Sequence, residues 1–148
     1  MNLLPTASDD VAARQAHPAV LDIGALRRQC TRVVDIAGLY TASAAAQIEL
    51  GPSFRWLAEA WQTEDPLPGV RADDGPATDA PAATLARLVR PAAAGSLAGY
   101  SLHPGLLDAC FQVAGMTGAA DSATLLPFAL GPLHLCHPVV GESWWCYA

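Results

Sequence analysis

The chain has 148 residues, of which 52% are apolar and 15% charged, and this length is sufficient for one domain with a hydrophobic core. Its formal net charge is -6 and its basic residues form no cluster, which argues against a nucleic-acid partner. The N-terminus has no basic region and no long apolar run, and it reaches Asp9 and Asp10 quickly. We therefore expect a cytoplasmic protein without a secretory signal.

The first half of the chain contains one predicted helix between two regions of irregular composition. Residues 1–22 are polar, alanine-rich and aperiodic, which is typical of a linker or a disordered tail. Asp35 is a candidate N-cap for a helix in which apolar residues recur at helical spacing up to position 48. Gly51 and Pro52 then predict the end of that helix and a turn that leads into a strand.

Beyond this strand, composition predicts a loop over residues 64–83 and a strand over residues 84–90, closed by Pro91. Residues 101–116 predict a helix, because Pro104 suits a first helical position and the apolar residues after it cover every face. A helix that is apolar all round is expected to be buried. Its alanine, leucine and phenylalanine side chains would then form the core of the domain.

Two polar side chains interrupt this apolar helix after its first turn. Asp108 and Gln112 are four positions apart, so they lie on one face within hydrogen-bonding reach. A buried carboxylate is costly unless it is paired, and a carboxyl group tuned towards neutral pH would suit a general acid. The alternative is that Asp108 only complements the positive end of the helix dipole.

The last part of the chain predicts short strands over residues 124–130, 133–137 and 143–147. The longest uncharged run, residues 122–141, approaches the length of a membrane span, but prolines and glycines interrupt it, so no membrane insertion is expected. The four cysteines form no C-x-x-C pair, and the His134, Cys136 and His137 group has no second cluster of ligands. The sequence therefore predicts no metal site.

Residues 102–112, Leu-His-Pro-Gly-Leu-Leu-Asp-Ala-Cys-Phe-Gln, resemble the L-H-P-x-L-L-D-x-x-x-Q motif of modular polyketide synthase dehydratase domains. Residues 51–54 resemble the Y-G-P-x-F motif of that family, and residues 126–128 resemble its L-P-F motif. Residues 34–40 are similar to the helix that precedes Y-G-P-x-F. The segments follow the family's order, and the resemblance covers about residues 20–148.

This resemblance implies an α+β fold, the double hotdog, in which each half has a long helix wrapped by an antiparallel sheet. The active site lies between the halves. Residues 23–148 would be part of the C-terminal half, which looks incomplete because the family has further strands beyond residues 144–147. The resemblance assigns catalysis to Asp108, which would protonate the departing 3-hydroxyl group, and to Gln112, which would orient that carboxylate. The expected substrate-binding residues are His103, Pro104, Gly51, Pro52, Phe54, Leu126, Pro127 and Phe128.

Two departures limit the functional expectation. The family's N-terminal half supplies a histidine, in H-x-x-x-G-x-x-x-x-P, that removes the proton alpha to the thioester, and this sequence contains no such motif. Leu50 also stands where Y-G-P-x-F has its tyrosine. We therefore expect part of a dehydratase domain that is inactive alone.

Combined with a histidine-bearing half, the chain would eliminate water from a 3-hydroxyacyl chain to give a 2,3-enoyl thioester. The resemblance implies no cofactor, because the substrate is carried on the phosphopantetheine arm of an acyl carrier protein. The implied partners are that carrier protein, the N-terminal hotdog half and other polyketide synthase domains. Two alternatives stay open, a non-catalytic structural or docking module of a megasynthase and a double-hotdog isomerase or cyclase.

Overall fold

The computed structural model describes residues 21–64, 82–116, 133, 135 and 139–148. Within them, four antiparallel strands form one sheet, in the spatial order β1 (Cys30–Val33), β2 (Leu57–Thr63), β3 (Thr84–Val89) and β4 (Ser143–Tyr147). The helices in this part of the chain are α1 (Ile23–Gln29), α2 (Ile36–Ala45) and α3 (Pro104–Gly115). Short 3-10 turns occupy Pro52–Phe54 and Ala92–Ala94. The architecture is α+β, as predicted.

The two faces of the sheet belong to different hydrophobic clusters. Along β3, Leu85 packs with Cys30 and Trp61 on one face, next to α1. Ala86 and Leu88 instead belong to the larger cluster, which we call the helix-facing core. Alternation of side chains along a strand explains this separation, because successive residues point to opposite faces. The helix-facing core consists of Trp56, Leu57, Ala60, Ala86, Leu88, Leu106, Ala109 and Val113.

The capping signals in the sequence are confirmed, but the predicted end of the first helix at Gly51 and Pro52 is wrong, because the chain leaves the helix earlier and Gln47 adopts a φ of 64°. The Asp35 side chain accepts a hydrogen bond from the backbone N–H of Gly38 at 3.0 Å and caps α2, which ends at Ala45. Pro104 occupies the first turn of α3, where its missing N–H costs no hydrogen bond. The strands predicted over residues 84–90 and 143–147 are β3 and β4.

Helix α1 was not predicted from the sequence. Its N-cap is Asp22, whose carboxylate accepts a hydrogen bond from the backbone N–H of Ala25 at 2.9 Å. Arg27 and Arg28 lie in its last turn, where positive charge complements the helix dipole. A helix of seven residues is too short to show a clear apolar period, so this pattern does not predict it.

The prediction that α3 is buried on every face is wrong. Gly105, Leu106, Ala109 and Val113 are buried against the sheet. The opposite face, with Leu107, Asp108, Phe111 and Gln112, is half-buried. The physical reason is that the described strands cover α3 from one side only.

Several predictions concern residues outside the described part of the chain. These are the tail over residues 1–20, most of the loop over residues 64–83, the strand over residues 124–130 and most of the strand over residues 133–137. Among the described helices, none has the length and apolar character needed to cross a membrane.

Candidate functional site

The N-terminus of α3 is built around His103. Its Nδ1 atom accepts a hydrogen bond from the backbone N–H of Gly105 at 3.1 Å, so the imidazole serves as the N-cap of the helix. The ring lies beside Trp56, with 5.2 Å between ring centroids, and meets Tyr100 edge-on at 4.9 Å. His103 therefore begins the helix and is packed between two aromatic rings.

One turn further along α3, Asp108 and Gln112 form the predicted pair. The Gln112 Nε2 atom donates a hydrogen bond to Asp108 Oδ2 at 2.7 Å, which confirms the contact expected from their spacing. Both side chains are half-buried on the face of α3 that points away from the sheet. The carboxylate is thus held in place and remains partly accessible to an incoming group.

A second hydrogen bond fixes the direction of the Gln112 amide. Its Nε2 atom also donates to the backbone carbonyl of Phe54, at 3.2 Å. Two acceptors on the nitrogen side settle the orientation, because a flipped amide would place its oxygen against two other oxygens. The Gln112 Oε1 atom is buried and has no hydrogen-bond partner among the described residues. Sequence reasoning missed this contact with Phe54, because a main-chain carbonyl has no signature in the sequence.

Residues 51–57, which we call the site turn, approach α3 closely because position 105 is a glycine. The indole Nε1 of Trp56 donates to the Ser53 carbonyl at 2.8 Å, which closes the turn on itself. A Cβ atom on Gly105 would lie 2.5 Å from Trp56 Nε1 and 3.1 Å from the Ser53 carbonyl oxygen. Side chains other than hydrogen do not fit there without movement of the turn or the helix.

Tyr40 of α2 also contacts the site turn, at Leu57 and Arg55. Its hydroxyl accepts a hydrogen bond from the backbone N–H of Leu57 at 3.3 Å, and the Arg55 guanidinium lies 5.3 Å from the centre of its ring. Burial raises the pKa of the Tyr40 hydroxyl, and the nearby Asp108 carboxylate raises it further. The hydroxyl therefore stays protonated and neutral at physiological pH.

The residues expected to bind substrate lie partly around this pair. Phe54 is 38% exposed and adjoins Gln112 through its carbonyl, whereas Gly51, Pro52 and Pro104 are exposed. Leu126, Pro127 and Phe128 lie outside the described residues. The structure thus brings the 51–54 segment to the Asp108–Gln112 pair. Substrate binding by these residues stays a prediction.

The described cysteines make no hydrogen bond to this pair, although Cys110 lies between Asp108 and Gln112 in the sequence of α3. Cys30 is buried, Cys110 and Cys146 are half-buried, and all three are free thiols, whereas Cys136 lies outside the described residues. Burial raises the pKa of the Cys30 thiol. In the described ranges, no group of three or more histidine, cysteine, aspartate or glutamate side chains could hold a metal ion.

A helix that packs on an antiparallel sheet and presents an amide-held carboxylate defines an α+β domain, with the Asp108–Gln112 pair as its candidate site. The family model "Polyketide synthase dehydratase N-terminal domain" matches residues 23–148. The chain therefore belongs to the polyketide synthase dehydratase family. The model's name refers to the N-terminal domain, whereas the Asp108–Gln112 motif resembles the C-terminal half, so the match establishes the family and not the half.

Curated relatives of the chain are large polyketide synthases. Polyketide synthase PksN of Bacillus subtilis is 30% identical over 130 residues, which cover 86% of this chain and 2% of the relative. Phthioceranic/hydroxyphthioceranic acid synthase of Mycobacterium tuberculosis is 31% identical over 147 residues, which cover 97% of this chain and 6% of the relative. The chain thus spans only a small part of these relatives.

Solved structures of dehydratase domains share the fold. The dehydratase domain from the CurJ module of curacin polyketide synthase matches with a TM-score of 0.65 and 25% identity, covering 86% of this chain and 40% of that domain. The corresponding CurK domain matches with a TM-score of 0.52 and 27% identity, covering 67% of this chain and 30% of that domain. The hotdog fold expected from the resemblance is confirmed.

Proposed function

We propose that the chain is the C-terminal half of a dehydratase domain that removes water from a 3-hydroxyacyl thioester, with Asp108 as the general acid. The carrier of the acyl chain would be the phosphopantetheine arm of an acyl carrier protein in the cytoplasm. The N-terminal half of the domain and other polyketide synthase domains would be its neighbours. The observation that carries this proposal is the 2.7 Å hydrogen bond that holds the half-buried Asp108 carboxylate to Gln112.

The elimination balances with one acid and one base. A histidine of the N-terminal half takes the proton from C2, the electron pair of that bond forms the C2–C3 double bond, and the C3–O bond breaks. Asp108, protonated at the start, gives its proton to the departing oxygen and releases water. The pair ends as a histidinium and an aspartate carboxylate, and a proton exchange with solvent restores both groups.

Two observations support these roles. A general acid must reach the reacting oxygen, and the half-buried face of α3 leaves Asp108 accessible while Gln112 and the Phe54 carbonyl fix its direction. Two solved CurK dehydratases, 26% and 27% identical to this chain, are described as inactive aspartate-to-asparagine and histidine-to-phenylalanine mutants. Activity of those relatives is thus lost when one aspartate or one histidine is replaced, and the proposed mechanism uses the same two residue types.

The test is water loss from a 3-hydroxyacyl pantetheine thioester by the chain together with a histidine-bearing N-terminal half. The product is followed by the absorbance of the unsaturated thioester and by mass spectrometry. Asp108→Asn should lower kcat at least about a hundredfold, because a positioned general acid contributes about that much or more. Its melting temperature should stay unchanged, since the side chain keeps its shape.

Asp22→Asn is the matched control, because Asp22 is an exposed helix cap on α1. It should retain the turnover of the unmodified protein. Turnover by Asp108→Asn that equals the control would overturn the assignment of the acid. A lack of any elimination by the unmodified chain with its histidine half would instead favour the non-catalytic module.

A further inference from the structure

We propose that Tyr40 is a positioning residue for the Asp108–Gln112 pair, acting through the site turn without contacting the substrate. The inference rests on the proposed function, because it concerns the same acid. It assigns a task to a tyrosine to which the resemblance in residues 34–40 gives no role. The contacts run from Tyr40 to Leu57, along the site turn to Phe54, and from Phe54 to Gln112 and Asp108.

The first step is the backbone N–H of Leu57. Pairing between β1 and β2 runs from Cys30–Thr63 to Val33–Trp61, with one further bond from Val34 N to the Ala60 carbonyl. This pairing ends before Leu57. A buried backbone N–H requires an acceptor, and the Tyr40 hydroxyl supplies it at 3.3 Å. Tyr40 therefore continues the hydrogen bonding of the sheet beyond the end of β1.

The second step is the site turn itself. Arg55 stacks over the Tyr40 ring and donates from Nε to the Leu50 carbonyl at 2.9 Å, so the same tyrosine also supports the middle of the turn. Trp56 closes the turn through Ser53. With Leu57 and Arg55 both held, the Phe54 carbonyl has a fixed position.

The third step is the link between the Phe54 carbonyl and the acid, Asp108. Gln112 donates from one nitrogen to the Phe54 carbonyl and to Asp108, so a displaced carbonyl rotates the amide and moves the acid with it. Because the transition state needs the acid within hydrogen-bond reach of the leaving oxygen, such a displacement lowers kcat. Asp108 meets the departing hydroxyl group in the transition state, so the effect on kcat should exceed any effect on KM.

The experiment is a double-mutant cycle in the protein that carries both halves. Tyr40→Phe removes only the hydroxyl and should lower kcat about fivefold to tenfold, with a smaller change in KM. In a Gln112→Leu background, where the amide no longer connects the turn to Asp108, Tyr40→Phe should have no further effect on kcat. A purely structural tyrosine would lower kcat equally in both backgrounds, and that result would overturn the proposal.

Tyr147→Phe is the matched control, because Tyr147 packs beside the Cys30 cluster on the other face of the sheet. It should leave kcat unchanged in both backgrounds. Arg55→Met supplies a second variant at an exposed position of the turn, in case Tyr40→Phe lowers the folded fraction. It should lower kcat less than Tyr40→Phe, and only when Gln112 is present. An equal effect of Arg55→Met with and without Gln112 would also contradict the proposal.

The two proposals fail in different ways. If Asp108→Asn keeps full turnover, the assignment of the acid is wrong, and the role of Tyr40 in positioning that acid is overturned with it. If Asp108→Asn is inactive while Tyr40→Phe retains the kcat of the unmodified protein, only the role of Tyr40 is wrong. The nuclear magnetic resonance signals of the Gln112 side-chain amide give a further readout, because they should shift in Tyr40→Phe and not in Tyr147→Phe.

Discussion

The two faces of α3 divide stability and chemistry between them. The face towards the sheet presents Leu106, Ala109 and Val113, which are almost fully buried in the helix-facing core. The opposite face presents Asp108 and Gln112, which are half-buried and hydrogen-bonded to each other. Substitutions on the first face should therefore change the free energy of unfolding, whereas substitutions on the second should change turnover.

Adjacent leucines give the largest expected contrast in stability. Leu106 is 3% exposed in the core, whereas Leu107 is half-buried on the other face. Leu106→Ala should lower the free energy of unfolding of the 148-residue chain by about 3 kcal/mol, because it leaves a cavity. Leu107→Ala should cost about 1 kcal/mol, since folding buries less of the apolar surface of this half-buried side chain. Urea unfolding measures both values, and equal costs would contradict the division between the faces.

Gly105 tests the closest approach between the site turn and α3. Gly105→Ala should destabilise the chain by about 2 kcal/mol, because its Cβ overlaps Trp56 and overpacking typically costs that much. Gly115→Ala in the same helix has no atom within 4 Å of its Cβ and should stabilise the chain by up to about 1 kcal/mol. In thermal unfolding, Gly105→Ala should thus lower the melting temperature and Gly115→Ala should raise it. Stabilisation by both substitutions would show that helix propensity outweighs the contact with Trp56.

The smallest expected effect concerns His103, which caps α3 and is also an expected substrate-binding residue. His103→Ala removes the acceptor for the Gly105 N–H and should cost about 1 kcal/mol of stability. His103→Asn supplies a capping oxygen and should restore most of that loss. If His103 also contacts substrate, His103→Asn will raise KM although the stability is restored. Urea unfolding and steady-state kinetics separate the two tasks.

Sequence patterns revealed the local features of this chain better than its tertiary contacts. The cap at Asp35, the start of α3 at Pro104 and the Asp108–Gln112 pair follow from spacing within one element. The contact of Gln112 with Phe54 joins an amide to a main-chain carbonyl, so the side chain at position 54 does not encode it.

The same limit applies to burial. The apolar residues of α3 predict burial on all sides, but a pattern of side chains does not state which elements cover each face. Here the described strands cover one face, and Leu107 and Phe111 remain half-buried on the other. The support of Tyr40 for Leu57 likewise depends on where β1 stops pairing with β2, which no local pattern predicts.

The contact between Gly105 and Trp56 also has an evolutionary consequence. Position 105 is the variable position of the L-H-P-x-L-L-D motif, yet in this chain the indole occupies the space that a Cβ there would need. A larger residue at 105 must therefore be accompanied by a smaller one at 56. Across related sequences we expect the sizes of the residues at positions 105 and 56 to covary, so that a large residue at one accompanies a small residue at the other. Fewer combinations should therefore occur than the range of residues at each position would allow.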